Sequence, residues 1–150
     1  MGKVVEVDQS GRTDVLTVDT ILAYSNSIQG SLRIPTKTKR EFFLELQKRG
    51  VRRSLIGVKM FSAGLVLLLE PCLSEFSTVI IDIEYMGWDA EIKEHLIRLW
   101  RSRNVSIQIP QIVFRQIGKG SNAHHLGLAV FRNQQKPTWV LNPQRLIDAC

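Results

Sequence analysis

A chain of 150 residues, 44% hydrophobic and 23% charged, is long enough to bury a sizeable core and too apolar to be disordered throughout. Twenty Lys and Arg against 14 Asp and Glu leave a net charge of +6, which points to a polyanionic partner, though a merely basic soluble protein carries the same charge. The two cysteines, Cys72 and Cys150, match no zinc spacing and read as reduced thiols, which excludes a disulfide scaffold and makes the expected location cytoplasmic.

The polar N-terminus has no apolar signal core. Val4–Asp8 (VVEVD) reads as the first strand, and Gln9-Ser10-Gly11-Arg12 turns the chain. Thr17–Tyr24 reads as a second strand, and Ser27–Ile34 alternates as a third. Such short connections predict an antiparallel meander. Pro35 and Thr36 open a helix that runs to about Arg49 and stops at Gly50, with Thr36 or Thr38 as N-cap. Its apolar stripe is Phe42, Phe43 and Leu46, with Glu41 at the edge. A second helix, about Arg53–Glu70, covers the most apolar stretch. Lys59, Ser62, Gly64 and Glu70 interrupt that stretch and Pro71 ends it, so it reads as a core helix and no membrane span is expected.

Ser77–Tyr85 follows as strand four. Trp88–Arg103 is an amphipathic helix, with Ile92, Leu96, Leu99 and Trp100 at i, i+4, i+7 and i+8. Asn104-Val105-Ser106 fits a glycosylation acceptor, but such triplets occur by chance and nothing suggests secretion. Ile112–Ile117 is strand five. The loop Gly118–Ser121 leads into a helix over about Ala123–Arg132, capped by Ser121 or Asn122. Trp139–Leu141 is a short extended piece, and a last helical turn starts at Pro143. No repeat or linker divides the chain, so residues 1–150 are expected to form one domain.

Thr78–Trp88 (TVIIDIEYMGW) organises the rest. A β-branched run, Thr78–Ile81, ends in Asp82 and Glu84, whose side chains share a face because strand side chains alternate. A carboxylate pair at the end of a central strand is costly unless a cation compensates it. The first strand also ends in an acid, Asp8. If these strands are neighbours, their carboxylates form a site for a divalent ion. The simpler reading of Asp82 and Glu84 is a strand running out into solvent, and that of Asp8 is a cap on the following turn.

This order of elements resembles the ribonuclease H fold over about Val4–Asn133. The resemblance implies an α/β domain with a five-stranded mixed sheet, made of a three-strand antiparallel meander plus two parallel strands flanked by helices. The segment at about 51–76 is then a helical insertion. The resemblance also implies a set of ligands: Asp8 in VDQSG, Glu41 on the first helix, Asp82 in a DxxY context completed by Tyr85, and a fourth ligand at the start of the last long helix. That fourth position is His in Argonaute- and Piwi-like nucleases, and here it falls on His124 or its neighbour His125. Glu84 is an alternative to Asp82. The implied activity is metal-dependent cleavage of nucleic acid. Two Mg²⁺ or Mn²⁺ ions about 3.5–4 Å apart would serve the attacking and leaving oxygens, with Asp8, Glu41, Asp82 and His124 as the catalytic set.

Lys119, in a Gly-flanked loop before a helix N-terminus, is placed to meet a phosphate, although the P-loop spacing is missing. Lys37, Lys39, Arg40, Arg52 and Arg53 would track a nucleic-acid backbone or form a solvated face. The rival function is a non-catalytic module on the same fold that binds nucleic acid or protein. A metal hydrolase of small substrates is a third.

Overall fold

A computed structural model describes residues 2–103 and 108–150. The triplet Asn104-Val105-Ser106 lies outside the described residues. The elements are β1 (Lys3–Ser10), β2 (Thr20–Ser25), β3 (Gln29–Ile34), α1 (Thr36–Lys48), α2 (Arg53–Leu69), a 3-10 segment (Glu70–Glu75), β4 (Phe76–Asp82), α3 (Asp89–Arg103), β5 (Gln111–Arg115), α4 (Asn122–Phe131), β6 (Trp139–Val140) and α5 (Pro143–Asp148).

The six strands form one mixed sheet in the order β5-β4-β1-β2-β3-β6. β1, β2 and β3 are the expected antiparallel meander. β4 pairs parallel with β1, and β5 parallel with β4. The expectation of five strands is corrected to six. Trp139 and Val140 add to the outer edge of β3 opposite Leu32 and Arg33, and the Leu141 N–H donates to the Arg33 carbonyl at 2.9 Å. Two residues carry no readable alternation, but they cover backbone groups that an edge strand would otherwise leave open.

Strand alternation gives the sheet two different faces. Val5, Val7, Leu22, Leu32, Ile34, Val79 and Ile81 point into the main core, beneath α1, α2, α3 and α5. Ile21 and Ala23 point the other way, against Leu126 and Val130 of α4. The stretch read as an insertion is the central helix of the core. Thirteen of the 17 residues of α2 are buried, so its apolar surface is spent inside the protein. Continued through the 3-10 segment to Glu75 it is long and apolar enough to cross a membrane, yet 72% of the relevant window is buried inside the protein. A Cβ on Gly64 would stand 2.7 Å from Leu22 Cδ1, so a glycine is what lets this helix lie against the sheet.

Two local expectations are corrected. Neither Thr36 nor Thr38 caps α1 by its side chain. The cap comes from far along the chain: Asp19 Oδ1 accepts the Thr36 N–H at 2.9 Å, and Thr38 Oγ1 donates instead to the Leu141 carbonyl. β2 starts at Thr20 rather than Thr17, because Arg12–Val18 is drawn into a loop around Lys39. Lys39 is 0% exposed, and its ammonium donates to the carbonyls of Arg12, Val15 and Val18. It is therefore no part of a surface that could track a polyanion.

Candidate metal centre

The site begins with register. Val7 lies opposite Ile81 in the parallel pair β1–β4, so Asp8 and Asp82 follow side by side where that pairing stops. The expectation that β1 ends at Asp8 is corrected, because Gln9 and Ser10 continue the strand by pairing with Leu22 and Ile21 of β2. Asp8 sits opposite Ala23 of β2, and so faces the α4 side of the sheet rather than the apolar core. β4 stops at Asp82, three residues short of the expected Tyr85. Glu84 nonetheless turns back to the same place. Ligand oxygens of Asp8, Asp82 and Glu84 all lie within 4.8 Å of one another.

Each acid is held differently. Asp8 is 6% exposed, and its Oδ2 lies 2.9 Å from Nδ1 of His124. Burial raises its pKa, the hydrogen bonds to His124 and to the Gln9 backbone work against that rise, and the Asp82 charge adds to it. Asp82 Oδ1 accepts the backbone N–H of Ile117 at 2.7 Å, which ties the end of β4 to the loop after β5. Glu84 is pushed up to about 8, first by burial, then by its hydrogen bond with Asp82 and the charges of Asp82 and Asp8. At neutral pH Glu84 keeps its proton, and the three carboxyl groups carry fewer than three negative charges.

α4 supplies the opposite wall. Ser121 caps it by accepting the Ala123 N–H at 3.1 Å and donates its own hydroxyl to Glu6 Oε1 at 3.0 Å. Glu6 precedes Asp8 by two residues on β1, so this contact fixes the helix N-terminus over the acidic face. His124 then falls on Asp8, and of the two histidines it is the one that touches an acid of the cluster. His124 is 29% exposed at the site, whereas His125 is exposed and meets His124 edge-on with ring centroids 5.9 Å apart.

The first-helix acid is not brought in. Glu41 is exposed on α1 and is not among the carboxylates that gather. The reason is helical phase. Lys39, Phe42, Phe43 and Leu46 face inward, around one side of the helix, and Glu41 lies about 200° round the helix from Lys39, on the exposed side. Glu84 stands where a third carboxylate was expected from α1. Lys119 is exposed in the loop between Ile117 and Ser121 that rims the site.

Residues beneath the site escaped the sequence reading. Arg12 donates to the Glu84 carbonyl, grips Asp14 with two nitrogens at 3.0 Å each, and lies 4.4 Å from the centroid of the Tyr85 ring. The Tyr85 hydroxyl accepts the Thr13 N–H at 3.1 Å and donates to Gln9 Oε1 at 2.9 Å. The turn after β1 and the turn after β4 are thus one hydrogen-bonded unit, and Asp8 and Glu84 sit directly beside it. The alternation of β1 carried a signal for Gln9, which must point into the core if Asp8 points out. For Arg12 there was none. Chemically, three clustered carboxyl groups with an imidazole beside them offer hard oxygen ligands to a divalent cation and one nitrogen able to move a proton. Compared with known protein families, curated proteins and solved structures, the chain finds no match to any of them.

Proposed function

We propose that this protein is a divalent-metal-dependent nuclease on a ribonuclease H-like fold, with Asp8, Asp82 and Glu84 as ligands to Mg²⁺ or Mn²⁺ and nucleic acid as substrate. The observation that carries this reading is the convergence of three carboxyl groups within 4.8 Å where the parallel pairing of β1 and β4 stops. The order β3-β2-β1-β4-β5, with only β2 antiparallel to the rest, supports the fold reading. The net charge of +6 and the exposed Lys119 at the rim support a polyanionic substrate.

A bound divalent ion would activate water and stabilise the leaving oxygen of a phosphodiester. The chain's own residues have distinct parts in that chemistry. Asp8, held by His124, would offer one carboxylate oxygen to such an ion. Asp82 is oriented by the Ile117 N–H. Glu84, raised to about 8 by burial and by Asp82 and Asp8, would have to lose its proton to serve as a ligand, so binding below about pH 8 would release a proton. His124 keeps Asp8 in place through Nδ1 and leaves Nε2 to accept or donate a proton at the site.

One observation favours a second reading, the non-catalytic binding module. Glu41 stays outside, so α1 adds no carboxylate for a second ion. Cleavage of labelled single-stranded, duplex and hybrid substrates with Mg²⁺ or Mn²⁺ decides between them. The nuclease reading expects metal-dependent cutting that Asp8→Asn abolishes while binding survives. Wild-type protein that binds these substrates and cuts none of them is the binding module.

A further inference from the structure

A second place in the molecule gathers charge of the opposite sign. A cleft of about 360 Å³ is lined by Leu46, Arg49, Lys59, Arg98, Ser102 and Cys150, and shares no residue with the acidic site. Three cations reach it from three helices or their caps: Arg49 at the end of α1, Lys59 from α2 and Arg98 from α3. Their closeness shows in their neighbours. His95 is held below the usual imidazole range by burial and then by Lys59 and Arg98. Burial raises the Cys150 thiol, and Lys59, Arg49 and Arg98 all pull against that rise.

The compensation is incomplete. Glu45 pairs with Arg49 at 3.1 Å, and the C-terminus of α1 adds roughly half a negative charge beside it. Those two offset Arg49. Glu91 and Glu94 of α3 act on His95 against these cations, but no side-chain carboxylate lies within ion-pair distance of Lys59 or Arg98 among the described residues, and Arg98 reaches the His95 ring nitrogen. Lys59 is half-buried between apolar walls, where an unpartnered ammonium is costly. Ser102 adds a hydroxyl at the lip.

We propose that this cleft binds a phosphate group, with Lys59 and Arg98 as its principal contacts. A doubly charged anion supplies what the two cations lack, and the planar Arg98 fork suits phosphate oxygens. The phosphate is that of a free anion or of a nucleic-acid backbone, and the test separates the two. It does not depend on the metal centre.

The experiment uses full-length protein without divalent metal, with pyrophosphate as probe and chloride at equal ionic strength as control. Cys150 alkylation by iodoacetamide is followed by mass spectrometry, with Cys72 as internal reference. Pyrophosphate at ten times its Kd leaves about one-tenth of the cleft free and slows Cys150 labelling about tenfold. Lys59→Met and Arg98→Gln lose this protection, and Asp8→Asn retains it. Arg98 is exposed, so Arg98→Gln keeps the test intact if Lys59→Met does not fold. An oligonucleotide that displaces pyrophosphate identifies a nucleic-acid phosphate; protection by pyrophosphate alone identifies a free anion. Unchanged Cys150 labelling, or protection that persists equally in both variants, overturns the proposal.

Discussion

Two regions of this protein bury charge, and they do so in opposite ways. Lys39 lies inside the main core and has its ammonium answered by three backbone carbonyls. Asp8, Asp82 and Glu84 gather beside the end of β4 and have mostly one another, with the His124 imidazole and the backbone N–H groups of Ile117 and Gln9 as outside partners. The first arrangement closes the Arg12–Val18 loop and is complete as it stands. The second is short of positive charge, as the protonation of Glu84 up to about pH 8 shows. A buried group with all its partners is a structural device, whereas one that must hold a proton to be tolerated is poised to exchange that proton for a cation.

The comparison can be broken most sharply at Lys39. Lys39→Met keeps the length of the side chain and strips the carbonyls of Arg12, Val15 and Val18 of their donor. At about 1 kcal/mol for each lost bond, the variant should be roughly 3 kcal/mol less stable. Urea unfolding measures this, and a change within 0.5 kcal/mol would show that the loop satisfies its carbonyls in another way.

The acidic region should respond in the opposite direction, by gaining stability. Mg²⁺ or Mn²⁺ at 100 times its Kd should stabilise the wild type by about 2.7 kcal/mol, a rise in Tm of roughly 5–10 °C for a chain of this size. Asp8→Asn should melt at or above the metal-free wild type, because it removes like-charge repulsion, and should lose most of the metal response. An equal Tm rise in the variant would move the ion away from Asp8.

The pH dependence separates the two regions without any ligand. Glu84 is raised to about 8 in the fold from an ordinary 4.5, so the folded state binds its proton more tightly than the unfolded chain. Its stabilising share is present below about 4.5 and is lost as pH rises through about 8. Lys39 is lowered to about 8 from 10.5 by burial, against the pull of Asp19 and Asp14, so its contribution to stability rises between those two values. Glu84→Gln should flatten the falling limb and Lys39→Met the rising one. Melting curves from pH 4 to 10.5 test both, and a Glu84→Gln profile parallel to wild type would contradict the assignment.

A smaller change is expected from Ser121, in the wall of the acidic region alone. Ser121→Ala removes the α4 cap and the contact to Glu6, at a cost of about 1 kcal/mol. Because α4 carries His124, the same variant should weaken metal binding more than its stability loss explains. Isothermal titration with Mn²⁺ checks this, and unaltered affinity would mean that His124 is placed by the packing of Leu126 and Val130 alone.

Local pattern in the chain determined the elements and the acidic strand end. Period-two alternation identified the meander, period 3.6 identified α1 and α3, and the β-branched run ending in Asp82 and Glu84 marked where the carboxyl groups meet. The reading of Asp8 beside Asp82 also rested on sequence, since two buried strands that each end in an acid are informative once they are neighbours. Even the buried Lys39 was legible in principle, lying three, four and seven residues before Phe42, Phe43 and Leu46 on the inward stripe. Tertiary structure alone decided the rest. Phase around α1 turned Glu41 away, a bend after β4 returned Glu84 to Asp82, and the Ser121–Glu6 contact chose His124 over His125. Asp19 capping Thr36, Arg12 on the Glu84 carbonyl and the sixth strand all join residues distant along the chain. Local propensity acts over a few residues, so it fixes which face of an element is apolar. Which polar side chains meet across elements depends on register and packing, which exist only in the folded chain.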